Sequence, residues 1–221
     1  MFTGIIEAVG RLEKIEQRQG DLRLTINSGS LDLSDVQLGD SIATNGVCLT
    51  VVELPGNGYV ADISLETLEH STLGSLAVGS RLNLEKALTP TTRLGGHLVS
   101  GHVDGLGKIA SIEPAGRSTV YWVEAPKSIA RYIAHKGSIT VDGVSLTVNS
   151  VDGCRFSLNI VPHTQEMTII RSYRAGNSVN LEVDVLARYL ERLLDPALKE
   201  DSDSDQAKRL TTAFLAEHGF M

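Results

Sequence analysis

A thiol and a hydroxyl hold equivalent places in two fragments of the chain: Cys48 in NGVCLTVV and Ser145 in DGVSLTVN, 97 residues apart. Each is followed two positions later by a threonine, Thr50 or Thr147. Such groups act as nucleophiles or proton relays when a base stands beside them. Two of the six histidines, His97 and His102, lie five apart in GGHLVSGH. That spacing matches neither HExxH nor a zinc finger, and no cysteine accompanies it, so metal binding is not expected. GHVDGLG has glycines but no GxGxxG register on a βαβ unit, and a GxSxG nucleophile elbow is absent. What remains is a set of polar side chains suited to binding.

These side chains come in matched sets because the chain repeats itself. Shifting it by 97 residues aligns Gly4–Glu85 with Gly101–Glu182 without a gap and gives twenty identities, among them Gly46/Gly143, Thr50/Thr147 and the block Asn83-Leu84-Glu85/Asn180-Leu181-Glu182. Two units of this size are copies of one small domain, since a solenoid needs several short repeats. In each copy the hairpin ends in a hydroxyl-rich strand, Cys48-Leu49-Thr50 or Ser145-Leu146-Thr147. Each opens on a small-residue segment, Gly4-Ile5-Ile6 or Gly101-His102-Val103. Each has a strand running into threonine, Asp62-Ile63-Ser64-Leu65-Glu66-Thr67 or Asn159-Ile160-Val161-Pro162-His163-Thr164. Ordinary strand threonines and turn glycines would explain one copy. Retention of the same polar letters in both favours binding, because β propensity alone accepts many substitutes. Two like pockets imply two like ligands.

The elements that must carry these residues are strands. DLRLTIN and STVYWVE alternate with the period of a half-buried strand. SIATNGVCLTVVEL and SITVDGVSLTVNSV read as strand, tight turn, strand, the Asn-Gly or Asp-Gly dipeptide suiting a type I′ hairpin. About six strands per copy predict an all-β fold, two tandem six-stranded antiparallel barrels, with LDLSDVQLG and SIARYIAHKG as short helices before each hairpin. TPTTRLGG joins the copies, so the first barrel is assigned to 1–96 and the second to 97–184. Val185, Leu186, Tyr189, Leu190, Leu193 and Leu194 then fall on one helical stripe, a helix over 185–195 with no counterpart after the first copy. It packs against another chain, the reading we favour, or back on its own barrels. Residues 196–221 read as an acidic spacer, KEDSDSDQA, and a last short helix in LTTAFLAEHGF.

The bulk numbers narrow the partners. A net charge of -7 argues against nucleic acid, and no apolar run approaches a membrane span. The opening MFTGIIEAVG lacks the basic and apolar regions of an export signal, so a cytoplasmic protein is expected, with Cys48 and Cys154 as reduced thiols. The copies also differ: Ile5 faces His102 in the alignment, Gly39 faces Lys136, and Ala87 faces Asp184. Ionisable extras thus collect in the second copy.

MFTGII, NGVCLTV, GGHLVSGHVDG, KGSITVDGVSLTV, the PHT of 162–164, and NLEVD followed by ARYLERLL together resemble riboflavin synthase of the α-chain type, over essentially 1–194. The resemblance implies dismutation of two 6,7-dimethyl-8-ribityllumazine molecules by four-carbon transfer, giving riboflavin and 5-amino-6-(D-ribitylamino)uracil, with no cofactor or metal. It implies a Greek-key double barrel, trimerisation through the C-terminal helix, and an active site between the first barrel of one subunit and the second of its neighbour. A lumazine synthase shell is a further candidate partner. Residues that the family associates with turnover match Phe2, Ser41, Cys48, His102 and Asp184. Ligand contacts match the three paired segments above and Lys136. A non-catalytic lumazine- or flavin-binding antenna protein of the same fold is the alternative. His102 with a nearby hydroxyl is expected to move protons, and Lys136 and Asp184 to orient and balance charge. The nucleophile that adds at C7 of the donor is open among water, a ribityl hydroxyl, Ser41 and Cys48.

Overall fold

A computed structural model describes residues 1–18 and 20–195. Twelve strands form two closed antiparallel barrels. The first contains β1 (Ala8–Arg18), β2 (Asp21–Asn27), β3 (Ser41–Thr44), β4 (Val47–Glu53), β5 (Gly58–Ile63) and β6 (Arg81–Lys86), in the order β1-β2-β5-β4-β3-β6. The second repeats that order with β7 (Gly105–Ala115), β8 (Ser118–Glu124), β9 (Ser138–Val141), β10 (Val144–Asp152), β11 (Arg155–Ile160) and β12 (Ser178–Val183). Closure leaves no free sheet edge in either barrel. Alternation along the strands fills one interior with Leu12, Leu24, Ile26, Tyr59 and Leu84, and the other with Ile109, Val123, Ile139, Phe156 and Leu181.

Both hairpin turns have the expected backbone. Asn45 and Gly46 lie at φ 47° and 78°, Asp142 and Gly143 at 44° and 81°. The two tips meet: a Cβ on Gly46 would stand 2.6 Å from the Gly143 nitrogen, so only glycine fits. Around this contact the barrels exchange buried hydrogen bonds in near-symmetric pairs. Asn83 Nδ2 donates to the Asp142 carbonyl (2.9 Å), and Asn180 Nδ2 to the Asn45 carbonyl (2.8 Å). Asn83 Oδ1 accepts from the Ile169 N–H, and Asn180 Oδ1 from the Thr72 N–H. The repeated Asn-Leu-Glu block is therefore the joint between barrels as well as part of β6 and β12.

Two expectations need correction. LDLSDVQLG is not helical: it forms a string of turns, in which Asp32 and Asp40 carboxylates take the N–H groups of Ser34 and Gln37. Short polar side chains compete in this way with helical bonding. In SIARYIAHKG only the four-residue α2 forms, after α1 (Leu65–His70) and at Lys127–Ala130. The strands expected to reach Thr67 and Thr164 stop at Ile63 and Ile160. Ser64 caps α1 by accepting the Thr67 N–H (3.3 Å), and Pro162 opens α3 (Pro162–Met167) at a first-turn position that needs no N–H. The helix over the C-terminal stripe is α4 (Val185–Leu194), with none of its residues buried. The acidic spacer and final short helix lie outside the described residues.

Candidate active site

The register of each hairpin sorts the candidate residues by face. In the first barrel Ser41 pairs with Thr50 and Ala43 with Cys48, while Ile42 and Leu49 pair and are buried. Ser41, Cys48 and Thr50 thus share the outer face, and Leu49 belongs to the core. The second barrel repeats this with Ser138 opposite Thr147 and Thr140 opposite Ser145, Leu146 turning to the interior. Ile63 and Ile160 are likewise core residues, whereas Asp62 and Asn159 alternate outward. Leu65, Glu66, Val161 and His163 are exposed, and Thr67, Pro162 and Thr164 half-buried, on or beside α1 and α3.

The segments expected to open each barrel's own pocket are exchanged. The Gly4 carbonyl accepts the Ser145 N–H (2.8 Å), and the Gly101 carbonyl accepts the Cys48 N–H (2.8 Å). Ile6 packs on the second barrel's core and Val103 on the first's. So Gly4-Ile5-Ile6 borders the Ser145 face, and Gly101-His102-Val103 borders the Cys48 face, correcting the grouping by copy. The approach is close: a Cβ on Gly101 would lie 2.7 Å from Cys48 Cβ and 2.8 Å from the Phe2 ring, and one on Gly4 2.6 Å from Ser145 Cβ. Gly4 and Gly101 both have positive φ, 77° and 82° respectively.

Buried carboxylates hold these segments. Glu85 accepts the Thr3 N–H and hydroxyl (both 2.6 Å) and the Gly4 N–H (3.0 Å). Glu182 accepts the N–H groups of Ser100 (2.6 Å), Gly101 (3.0 Å) and His102 (3.1 Å). Burial raises the pKa of both, Glu182 to about 7, against the opposing pull of those hydrogen bonds. Phe2 is fully enclosed with Val99, Ala43, Cys48 and Ala87, and bridges Val99 by backbone bonds. Its ring therefore packs beside Cys48 on that outer face. Asp62 is gripped by both Nε and Nη2 of Arg23 (2.6 and 2.8 Å), which lowers its pKa. Lys136 is exposed at φ 63°, where the first copy has Gly39, and its N–H donates to the Val148 carbonyl. A lysine in the left-handed region carries a strain cost of about 1 kcal/mol or more that glycine avoids.

One polar residue beside the second face escaped the sequence reading as a site residue. His97 is buried and its Nδ1 lies 2.7 Å from Ser145 Oγ. The repeat could not single it out, because its counterpart would precede Met1.

The lumazine binding domain family model matches residues 3–87 and 100–184. Riboflavin synthase of Photobacterium phosphoreum is 51% identical over 221 residues, all of both chains, and that of Bacillus subtilis (strain 168) is 40% identical over 220 residues, again covering 100% of each. Among solved structures, LumP complexed with riboflavin superposes with a TM-score of 0.77 at 25% identity, over 83% of this chain and 99% of that one. The two domain matches span most of the chain and the relatives align from end to end, so the chain belongs to the riboflavin synthase family and is an enzyme, a transferase.

Proposed function

We propose that each barrel holds one 6,7-dimethyl-8-ribityllumazine on its outer face and that the pair is dismutated. A four-carbon unit passes from one molecule to the other, giving riboflavin and 5-amino-6-(D-ribitylamino)uracil. The observation that carries this reading is the pair of equivalent faces with unequal chemistry: Cys48, Ser41 and Thr50 with His102 on one, Ser145 and Thr147 with the Gly4–Ile6 segment on the other. One compound used in two roles needs such a pair. Holding two rings together turns a bimolecular encounter into an intramolecular one, worth about 7–11 kcal/mol at best. The 7-methyl protons are acidic because the anion delocalises into the ring, so a positioned base need add only about 10²–10⁴-fold.

In this reading His102, with Thr50 or Cys48 close by, moves protons at the first face. Lys136 and Asp184 balance charge at the second, and Phe2 positions Cys48. We divide the chain into barrels at 1–96 and 97–184 and a trimerisation helix at 185–195. Trimerisation is supported by the exposed Leu186, Tyr189, Leu190, Leu193 and Leu194 of α4. It would join the first barrel of one subunit to the second of its neighbour. The cytoplasm suits two free cysteines, and no helix among the described residues is long and apolar enough to cross a membrane. A lumazine synthase shell is a candidate partner.

Incubating the protein with the lumazine and following flavin absorbance tests the reading. One riboflavin formed for every two lumazines consumed is expected. Tight binding without flavin would mean an antenna-type binder instead, and neither would mean a structural double barrel.

A further inference from the structure

The two faces differ most where Cys48 and Ser145 stand. In the first barrel the surroundings are apolar: Ala43, Ala87, Phe2 and Val99 pack with Cys48. At the corresponding positions of the second barrel, Ala43 becomes Thr140, Cys48 becomes Ser145, and Ala87 becomes Asp184. The residue that follows the linker is His97, whose Nδ1 meets Ser145 Oγ at 2.7 Å and whose main-chain N–H donates to the Thr3 carbonyl. An apolar cluster has been replaced by a hydroxyl, an imidazole and a carboxylate.

His97 is only 9% exposed, and its Nε2 is buried without a hydrogen-bond partner. A buried polar atom left unpaired costs about 1–3 kcal/mol, so a purely structural imidazole is a poor choice here. Burial depresses its pKa, and the charge of Asp184 partly offsets that depression. The ring is therefore a neutral base at neutral pH, with a carboxylate near enough to stabilise its cation. In the tautomer with its proton on Nε2, Nδ1 accepts the Ser145 O–H and fixes its direction. This is the division of labour of a nucleophile or relay, its base and an acidic partner.

We propose that His97 is the positioning residue of the second-barrel site, acting through Ser145 as the proton relay for the lumazine bound there. A C–H bond of the 7-methyl group breaks and its electron pair stays in the ring. The proton passes to Ser145 Oγ as the hydroxyl's own proton passes to His97 Nδ1. The charge of Asp184 favours the resulting imidazolium, and the reverse transfer returns the proton. No other reactant is needed. The inference rests on the second face holding a lumazine, as proposed above.

His97→Asn in the full-length chain tests it, because the amide oxygen can still accept from Ser145 but does not titrate. The expected result is a kcat about 10²-fold lower with KM within about threefold, and loss of the acid limb of the kcat–pH profile. Ser145→Ala should show a similar loss, and the double variant should be no worse than the worse single, since the pair acts as one unit. A His97→Asn enzyme within about twofold of the parent kcat overturns the proposal, as does an unchanged pH profile or additive losses. Should His97→Asn not fold, Ser145→Ala decides: a parent-like kcat overturns the proposal and a matching loss with its acid limb altered supports it. Equilibrium titration of the unaltered protein separates the underlying reading, because fewer than two lumazines bound per chain would remove the second site itself.

Discussion

Asp142 is a carboxylate where the first copy carries Asn45, at the buried joint between the barrels. Its Oδ1 accepts the Asn180 N–H (2.8 Å), as Asn45 Oδ1 accepts the Asn83 N–H, and its Oδ2 accepts the Tyr173 hydroxyl. Burial raises its pKa from 3.8 to about 6, the Tyr173 and Asn180 bonds opposing, and it drives the Tyr173 pKa up as well. A raised carboxylate pKa means that the folded chain binds the proton more tightly than the unfolded one. The group's stabilising contribution is therefore full below about pH 4 and is lost as pH rises through about 6. Asp142→Asn can keep the Asn180 bond through its carbonyl and the Tyr173 contact through its amide, the Tyr173 hydroxyl turning from donor to acceptor, without a charge to bury. We expect it to gain about 1–3 kcal/mol at pH 8 and almost nothing at pH 4. Melting curves across that range check this. Glu182 also titrates near 7, but it does so in both proteins, so the difference isolates Asp142. A gain that does not change with pH would show that packing, not ionisation, separates the two residues.

At the scale of elements, the exchanged segments decide which glycine serves which face. Gly101→Ala should push the 101–103 segment off β4, because the new Cβ would sit 2.7 Å from Cys48 Cβ at φ 82°. Gly4→Ala should disturb Ser145 instead, with its Cβ 2.6 Å away. The check is the alkylation rate of Cys48, mapped by mass spectrometry. We expect it to change severalfold in Gly101→Ala and to stay at the parent value in Gly4→Ala, with activity lost in both. The opposite pattern would mean that each segment serves its own barrel. Sequence alone pointed there, since Gly4 and Gly101 open their own copies of the repeat. What sequence carries well is local. DLRLTIN and STVYWVE are β2 and β8 to the residue, and the Asn-Gly and Asp-Gly turns have the backbone their dipeptides demand. Contacts between copies leave no periodic trace, so the exchange of segments and the His97–Ser145 pair were not legible. Nor was the stop at Ile63 and Ile160, which depends on a serine cap and a proline rather than on alternation.

At the scale of the whole molecule, the proposed trimer makes activity a property of assembly. Alone, α4 exposes Leu186, Tyr189, Leu190, Leu193 and Leu194 along one stripe. Burying a leucine side chain is worth about 1.5–3 kcal/mol, so three copies of such a stripe can drive association. A carboxylate in the same place must be desolvated without a partner, at a cost that exceeds this gain. Leu190→Glu combined with Leu193→Glu, on residues 57% and 74% exposed, should therefore leave each barrel folded while blocking assembly. We expect sedimentation as a monomer, a far-ultraviolet spectrum and barrel melting close to the parent's, and turnover at least 10²-fold lower, because a lost shared pocket also loses its proximity advantage. The unaltered protein should in turn lose specific activity on dilution below the dissociation constant of the assembly, and the loss should track dissociation. A monomeric variant with parent turnover would place both lumazines within one chain, and the shared-pocket proposal would fall while the two faces stood.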